Sequence, residues 1–338
     1  MRTEEHADMA SHRRAVIGNE ANFWLHSTRT GFDLTHPDTP TAAPVQPRLT
    51  IQTSTAPITI SPAKTALVII DMQNFFLSEA FGRRKGAGHA AADKLQQYGI
   101  PAARKAGIRV CWVNWGLTEA EVKTMPPAVK RAFGFEAVAE DALDDTAGAA
   151  AHVFAEKANG VGVDKHGELR HQGGHLLLEN GKDGRIYRGL GSSCGDVVLP
   201  SGETVDAGRL LMRDTWNAAL WPPLDAALAE GRKLATRPDV WIHKNRMSAL
   251  WGGTTELQQF LEAEGIQTLL LSGVNTDQCV GGTLTDAFSK GFDCVLLGDA
   301  AGTTTPAFGQ ECFEYNAAKT YGFLSSTEAL WAAAAAMG

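Results

Sequence analysis

Residues Leu269 to Leu297, LLLSGVNTDQCVGGTLTDAFSKGFDCVLL, constrain the fold of this chain more than any other stretch. Leu269, Leu270 and Leu271 form a short apolar run of the kind that fills a buried parallel strand. The run breaks at Ser272-Gly273. Val280, Leu284, Ala287 and Phe288 then recur with the spacing of one helix face. Thr276 or Asp277 can cap that helix, and Gly291 is a fitting stop. Cys294 to Leu297 supplies a second strand. The unit is therefore strand, turn, helix, strand, with Cys279 in the first turn of the helix. Main-chain N–H groups without helical partners point outward there, and the partly positive helix end favours a thiolate. The same groups can receive the oxyanion of an attacked carbonyl. A free cysteine is most often a buried structural residue, and Cys294, inside a strand, is read that way. Cys279 differs, because it sits in a polar turn beyond a strand's carboxyl end, where open α/β sheets bind ligands.

Two further strands end in ionisable residues. TALVII at 65–70 is a β-branched apolar run that leads into Asp71, then Met72, Gln73, Asn74, Phe75 and Phe76. DVWIH at 239–243 leads into Lys244. A lone aspartate at a strand end is ordinarily a turn or cap residue. Three ionisable groups at the carboxyl ends of three strands are another matter, since neighbouring strands would bring Asp71, Lys244 and Cys279 to one crevice. A thiol needs help to act as a nucleophile. A carboxylate can take its proton, and an ammonium can keep the carboxylate ionised.

The rest of the chain surrounds this core. Residues 1–60 read as an extension carrying Phe23, Trp24 and Phe32, with a Pro-rich connector at 39–47 and a hairpin in LTIQTSTAPITI at 49–60. Its aromatics suit a local core or a cover for a second subunit; alone the segment has too little core to stand. Residues 61–338 form the main domain. A helix over 89–106, adjusted at Pro101, precedes the strand IRVCWVN at 108–114. Residues 116–236 are an insertion far longer than ordinary βα connections. Helices are expected on both sides of Pro126-Pro127 and at 222–231. Hairpins are expected around 180–184 and with a turn at Ser201-Gly202. The insertion is read as part decoration and part lid, with Trp216 and Asn217 as candidates for reaching a pocket. Helices at 256–264, 306–319 and 327–337 and a short strand at 322–325 complete the reading.

Composition excludes several functions. The chain has 338 residues, 44% of them hydrophobic, and a net charge of −7 without a basic cluster. Nucleic acid and anionic membrane are poor partners for it. No run is long enough to span a bilayer, and the polar N-terminus lacks a signal-peptide core. Five cysteines without metal-like spacing suit a reducing compartment, so a cytoplasmic protein is expected. The glycines near 88 and 281–282 do not form a dinucleotide-binding turn.

TALVIIDMQNFF at 65–76, HKNRMSAL at 243–250 and LSGVNTDQCVGGTLTDAFSKGFDCVLLGDA at 271–300 together resemble the isochorismatase-like cysteine hydrolases, a family that includes nicotinamidases, carbamoylsarcosine hydrolases and isochorismatases. The resemblance covers about 65–115 and 237–325. It implies a three-layer α/β/α sandwich with a mainly parallel six-stranded sheet. It also implies Cys279 as nucleophile, Asp71 as general base and then acid, Lys244 as third member, and an oxyanion hole from the N–H groups of Asn275 and Cys279. A cis bond between Val274 and Asn275 is expected. Phe76 aligns with a pocket aromatic, Trp115 matches more loosely, and Gln73 joins them as a substrate-binding candidate.

Nicotinamidases carry an Asp and several His after the second strand as a metal set. The corresponding VNWGLTEAEVKTMPPAVKRAF has neither residue. His171 and His175 are separated by Gly173 and Gly174 and are read as structural or surface residues. No metal and no cofactor is therefore expected, and nicotinamide is disfavoured as substrate. The leading expectation is hydrolysis of a C–N bond in a small amide, ureide or lactam through a thioester on Cys279. The alternatives are vinyl-ether hydrolysis of the isochorismatase type, which needs no thiolate, and a non-catalytic α/β binding protein. A homo-oligomer, dimer or tetramer, is expected from the insertion and the aromatic arm.

Overall fold

A computed structural model describes residues 12–138, 160–168, 171–172, 175–177, 183–185 and 187–337. The chain forms two compact units. The first takes in residues up to Met72, Gly86–Val113 and the chain from Pro223 onward; the second takes in Gln73–Lys85 and Asn114–Pro222.

The first unit is built on a six-stranded sheet. In spatial order its strands are Val240–Lys244, Arg109–Trp115, Thr65–Ile70, Thr268–Val274, Asp293–Gly302 and Phe323–Ser325. The four pairings from Arg109–Trp115 through Phe323–Ser325 are all parallel. Every residue of the two central strands is buried. Strands buried on both faces carry no polar alternation, which is why both read as unbroken apolar runs. Val68, Ile70, Val113, Ile242, Leu269 and Leu271 share one apolar cluster with Leu257 and Leu261 of helix Glu256–Ala263 and Leu284 of helix Gly281–Lys290. Helix Ala87–Lys94 packs on Asp293–Gly302, and Thr327–Ala335 packs on Ile100–Ala106. A wide π-helical turn, Leu95–Gly99, joins Ala87–Lys94 to Ile100–Ala106 and brings Pro101 into the second position of the last segment.

The central strand departs from the sequence reading at its end. It does not break at Ser272-Gly273 but runs on to Val274, with Gly273 opposite Ile70 and Val274 opposite Gly302. Gly273 makes this possible. Its φ is +108°, and a Cβ built there would lie 2.1 Å from the Ile70 carbonyl oxygen. Only glycine lets the two backbones approach so closely in that conformation.

The N-terminal residues fold into a five-stranded sheet ordered Arg14–Asn19, Asn22–Ser27, Gly31–Leu34, Ile58–Ile60, Leu49–Ile51. The hairpin expected at 49–60 is present, with Leu49 opposite Ile60 and Ile51 opposite Ile58. The arm's aromatics cover their own chain: the rings of Trp24 and Phe32 lie 5.7 and 5.4 Å from that of Phe323. Beneath them Asp293 is almost fully buried. Its Oδ1 accepts from Trp24 Nε1 at 2.7 Å, and its Oδ2 accepts from Thr268 Oγ1 at 2.9 Å and lies 2.7 Å from His36 Nε2.

In the second unit, helices Glu119–Lys123 and Pro127–Ala132 flank Pro126-Pro127 as expected. Strands Asp196–Val198 and Thr204–Asp206 pair antiparallel around Ser201-Gly202. His171 and His175 lie on paired strands, His171–Gln172 and His175–Leu177. Asp183-Gly184, read from the sequence as part of a turn, belongs instead to strand Asp183–Arg185, where Asp183 pairs with Leu177. Asn180-Gly181 lies outside the described residues. Phe75, Phe81, Trp115, Met125, Tyr187, Leu210 and Leu211 form the unit's apolar cluster.

Candidate active site

Strand Thr65–Ile70 ends at Asp71, which turns out of the ladder with φ of +55°. Its N–H donates to the Val113 carbonyl on the adjoining strand at 3.0 Å, and its side chain is fully buried. Lys244 is the last residue of the edge strand, with the strand that begins at Arg109 lying between it and Thr65–Ile70. The strands of Asp71 and Lys244 are thus not neighbours, and the extended lysine stem spans the gap. Lys244 Nζ lies 2.9 Å from Asp71 Oδ2. It also donates to the carbonyls of Arg246 at 3.0 Å and Met247 at 3.2 Å. Two of the three N–H bonds of an ammonium are thereby taken by main-chain carbonyls, and both side chains of the ion pair are buried.

Cys279 comes from the adjacent central strand. The Val274–Asn275 peptide bond is cis, as expected. Asn275 then caps a π-helical turn, Thr276–Val280, that continues into helix Gly281–Lys290. Its carbonyl accepts from Gln278 N–H at 3.0 Å and Val280 N–H at 3.1 Å, three and five residues on. Neither residue expected to cap the helix does so. Thr276 is buried, and the Asp277 carboxylate is taken by another loop: Thr303 Oγ1 donates to its Oδ1 at 2.6 Å and Thr305 Oγ1 to its Oδ2 at 2.7 Å. Wide turns of this kind recur at functional sites because they re-aim a side chain within a helix.

The loop after Lys244 ties the two halves of the site together. Met247 offers its carbonyl to Lys244 Nζ, and its thioether sulfur lies 3.4 Å from Cys279 Sγ. Two residues on, Ala249 N–H donates to Thr283 Oγ1 at 3.1 Å, and that hydroxyl donates to the Cys279 carbonyl at 2.7 Å. The Ser-Ala pair of the Lys-x-x-x-Ser-Ala signal thus lies against the first turn of helix Gly281–Lys290. Cys279 is itself buried to 4% exposure.

The other thiols differ. Burial pushes the Cys111 and Cys294 thiols well above the usual range, and no nearby charge reverses it. They are packing residues, as read for Cys294. Among the described residues, no group of three or more His, Cys, Asp or Glu side chains could hold a metal ion, and no helix is long and apolar enough to cross a membrane.

Residues 204–329 match the isochorismatase domain model. That stretch carries an isochorismatase domain. Over 307 residues the chain is 25% identical to the ureidoacrylate amidohydrolase RutB of Stutzerimonas stutzeri (strain A1501), covering 89% of this chain and 91% of that protein. A shorter stretch of 121 residues is 32% identical to RutB of Yersinia enterocolitica serotype O:8, over 36% of this chain and 48% of the relative. Among solved structures, a cysteine hydrolase from Pseudomonas syringae pv. phaseolicola 1448A aligns over 87% of this chain and 100% of its own, with 14% identity and a TM-score of 0.50. At that identity the likeness speaks for the fold, an α/β sandwich on a parallel sheet.

The remaining site candidates of this isochorismatase-like chain all fall in its second unit. Gln73 is fully buried, and its carboxamide serves the main chain: Nε2 donates to the carbonyls of Trp115 at 2.8 Å and Ala218 at 2.7 Å, and Oε1 accepts from Trp115 N–H at 3.1 Å. Asn217 is used in the same way. Its Nδ2 donates to the carbonyls of Ala207 and Arg209, both at 2.8 Å, and its Oδ1 accepts from Leu211 N–H at 2.8 Å. Both amides brace loops. Trp115 is fully buried, its ring 5.1 Å from that of Phe133. Phe76 and Trp216 are half-buried at the margin of the apolar cluster, against Phe75 and Phe81. Sequence reasoning missed Met247, Thr283, Thr303 and Thr305, and read Asp277 as a helix cap where it bonds Thr303 and Thr305. The one signal available was the run Thr303-Thr304-Thr305 just past a strand end.

Proposed function

We propose that this chain is an amidohydrolase that cleaves a C–N bond of a small ureide or amide through a covalent intermediate on Cys279. The observation that carries the reading is the buried ion pair of Asp71 with a lysine whose other N–H bonds are already satisfied, on the loop whose Met247 touches Cys279. Lys244 keeps Asp71 ionised and ready as a base. The Cys279 thiol gives its proton to Asp71, and the thiolate attacks the substrate carbonyl. The N–H groups of Asn275 and Cys279 receive the oxyanion. Asp71 returns the proton to the nitrogen as the C–N bond breaks, and the amine leaves. Water then gives a proton to Asp71 and adds to the thioester; collapse releases the acid, or a carbamate from a ureide, and restores the thiol.

The amidohydrolase relatives support the ureide class, since they are named for ureidoacrylate. An intact thiol favours this route over vinyl-ether hydrolysis, which protonates carbon and uses no nucleophile.

The test is a panel of small ureides and amides with wild type and Cys279→Ala, followed by ammonia or amine release. Wild type should turn over at least one ureide, and quenching should trap a mass increase on the peptide containing Cys279. Cys279→Ala should lose at least about a thousandfold in kcat, by analogy with other nucleophile deletions, while melting close to wild type. Turnover by Cys279→Ala near the wild-type rate would rule the mechanism out.

A further inference from the structure

Met247 makes two contacts with the candidate site, one from its main chain and one from its side chain. Its carbonyl accepts from Lys244 Nζ at 3.2 Å, and its thioether sulfur accepts from Cys279 Sγ at 3.4 Å. The loop that presents it is fixed on both flanks. On one side Lys244 closes its strand. On the other, buried Ser248 accepts through Oγ from Leu250 N–H at 3.0 Å, and Ala249 N–H donates to Thr283 Oγ1 of helix Gly281–Lys290. The fold therefore places the thioether against the thiol. Met247 itself is half-buried, beside a cysteine that is almost wholly buried.

We propose that Met247 is a positioning residue that holds Cys279 in a resting thiol form, its S–H bond given to the thioether rather than to the base. The proposal rests on the reading of Cys279 as the nucleophile. A thioether sulfur is an acceptor with no proton to give. It receives the S–H bond of a neutral thiol and offers nothing to a thiolate. A thiol has one proton, so a proton given to Met247 is withheld from Asp71. Release takes only a rotation about the Cβ–Sγ bond of Cys279. The thiol then passes its proton to the Asp71 carboxylate, which leaves a thiolate and a carboxylic acid. The thiolate is the form that electrophiles and oxidants attack, so the contact lowers the reactivity of the free protein. Met247 brings no charge to the site. The charged groups of the elements around it are Asp71, Lys244 and Arg246, with Asp277 on the turn of Cys279 itself. Met247→Leu leaves all four in place and removes the acceptor at nearly constant volume.

The test follows alkylation of Cys279 by iodoacetamide across a range from about pH 5 to about pH 10, read by mass on the peptide that contains it, in wild type, Met247→Leu and Met247→Gln. The thiolate displaces iodide, so the rate reports the ionised fraction. Near neutral pH, Met247→Leu should react about threefold faster than wild type, as for the loss of one weak hydrogen bond. The midpoint of its pH profile should lie about half a pH unit lower, which is the same threefold change. Met247→Gln brings N–H bonds that a thiolate can accept, and it should react at least as fast as Met247→Leu. A packing role alone predicts another pattern, with Met247→Leu like wild type and the midpoint unmoved. Superimposable profiles for wild type and Met247→Leu, or a slower Met247→Leu, would overturn the proposal. Alkylation needs no substrate, so this result and the search for a ureide substrate can fail separately.

Discussion

Lys244 reaches past an intervening strand to place its ammonium 2.9 Å from the carboxylate of Asp71, and the two groups are buried together. Removing one member of a buried pair strands the other charge, at a cost of about 3–5 kcal/mol. Lys244→Ala and Asp71→Asn should both be inactive, and Lys244→Ala should be the less stable, because the ammonium left by Asp71→Asn keeps two carbonyl acceptors whereas Asp71 loses its ion-pair partner. Combining Asp71→Asn with Lys244→Met should recover most of the stability and none of the activity. Urea melts beside turnover assays check this; a Lys244→Ala protein as stable as wild type would count against a buried pair.

Asp277 anchors the turn that carries Cys279 through the hydroxyls of Thr303 and Thr305. A misplacement of about 1 Å at a reacting group can cost about a hundredfold in rate. Asp277→Ala should therefore lower kcat by about 10–100-fold with KM little changed, and Asp277→Asn, which keeps an acceptor, should fall between. The same ordering is expected for alkylation of Cys279 by iodoacetamide. Equal alkylation rates in all three proteins would remove Asp277 from this role.

Gly273 tolerates no side chain. A Cβ would lie 2.1 Å from the Ile70 carbonyl oxygen at a φ of +108°. Gly273→Ala should destabilise the fold by more than about 2 kcal/mol, since the backbone on both sides is a buried central strand. Thermal melting decides the point, and a melting temperature within a degree of wild type would contradict the packing described.

The buried thiols of Cys111 and Cys294 predict a pH dependence. Burial raises both above their value in the unfolded chain, so the folded state holds its thiol protons more tightly. The resulting stability is fully present below about pH 8.5, the ordinary thiol value. It is lost as pH rises beyond that, because the unfolded chain ionises first. By pH 10 the loss should approach about 2 kcal/mol per thiol. Urea melts from pH 7 to 10 should show wild type falling more steeply than a Cys111→Ala, Cys294→Ala double variant, and parallel curves would refute it.

Much of the site was legible because parallel strands advertise themselves. An apolar run that stops at a charged residue marks a strand's carboxyl end, and Asp71, Lys244 and Cys279 each sit just there. What the pattern could not carry was order in space. Nothing in 240–244 says that another strand separates Lys244 from the strand of Asp71. The cap was misread for a related reason: Asp277 has the right chemistry to bond its own helix, yet the two hydroxyls that claim it come from 26 and 28 residues away. Gln73 and Asn217 look like ligand-binding amides in sequence, and only the carbonyls facing them give them their bracing role.

The arrangement around Asp293 bears on how this protein can be divided. Its carboxylate starts a core strand, and two of its three partners, Trp24 and His36, come from the first forty residues. A trimmed polypeptide starting at Pro47 would keep every residue of the candidate site. It would also keep a buried negative charge with Thr268 alone for company, beneath aromatic surface newly opened to water. The N-terminal sheet is therefore not a detachable module. For anyone redesigning, tagging or recombining this scaffold, the folding boundary lies upstream of Trp24.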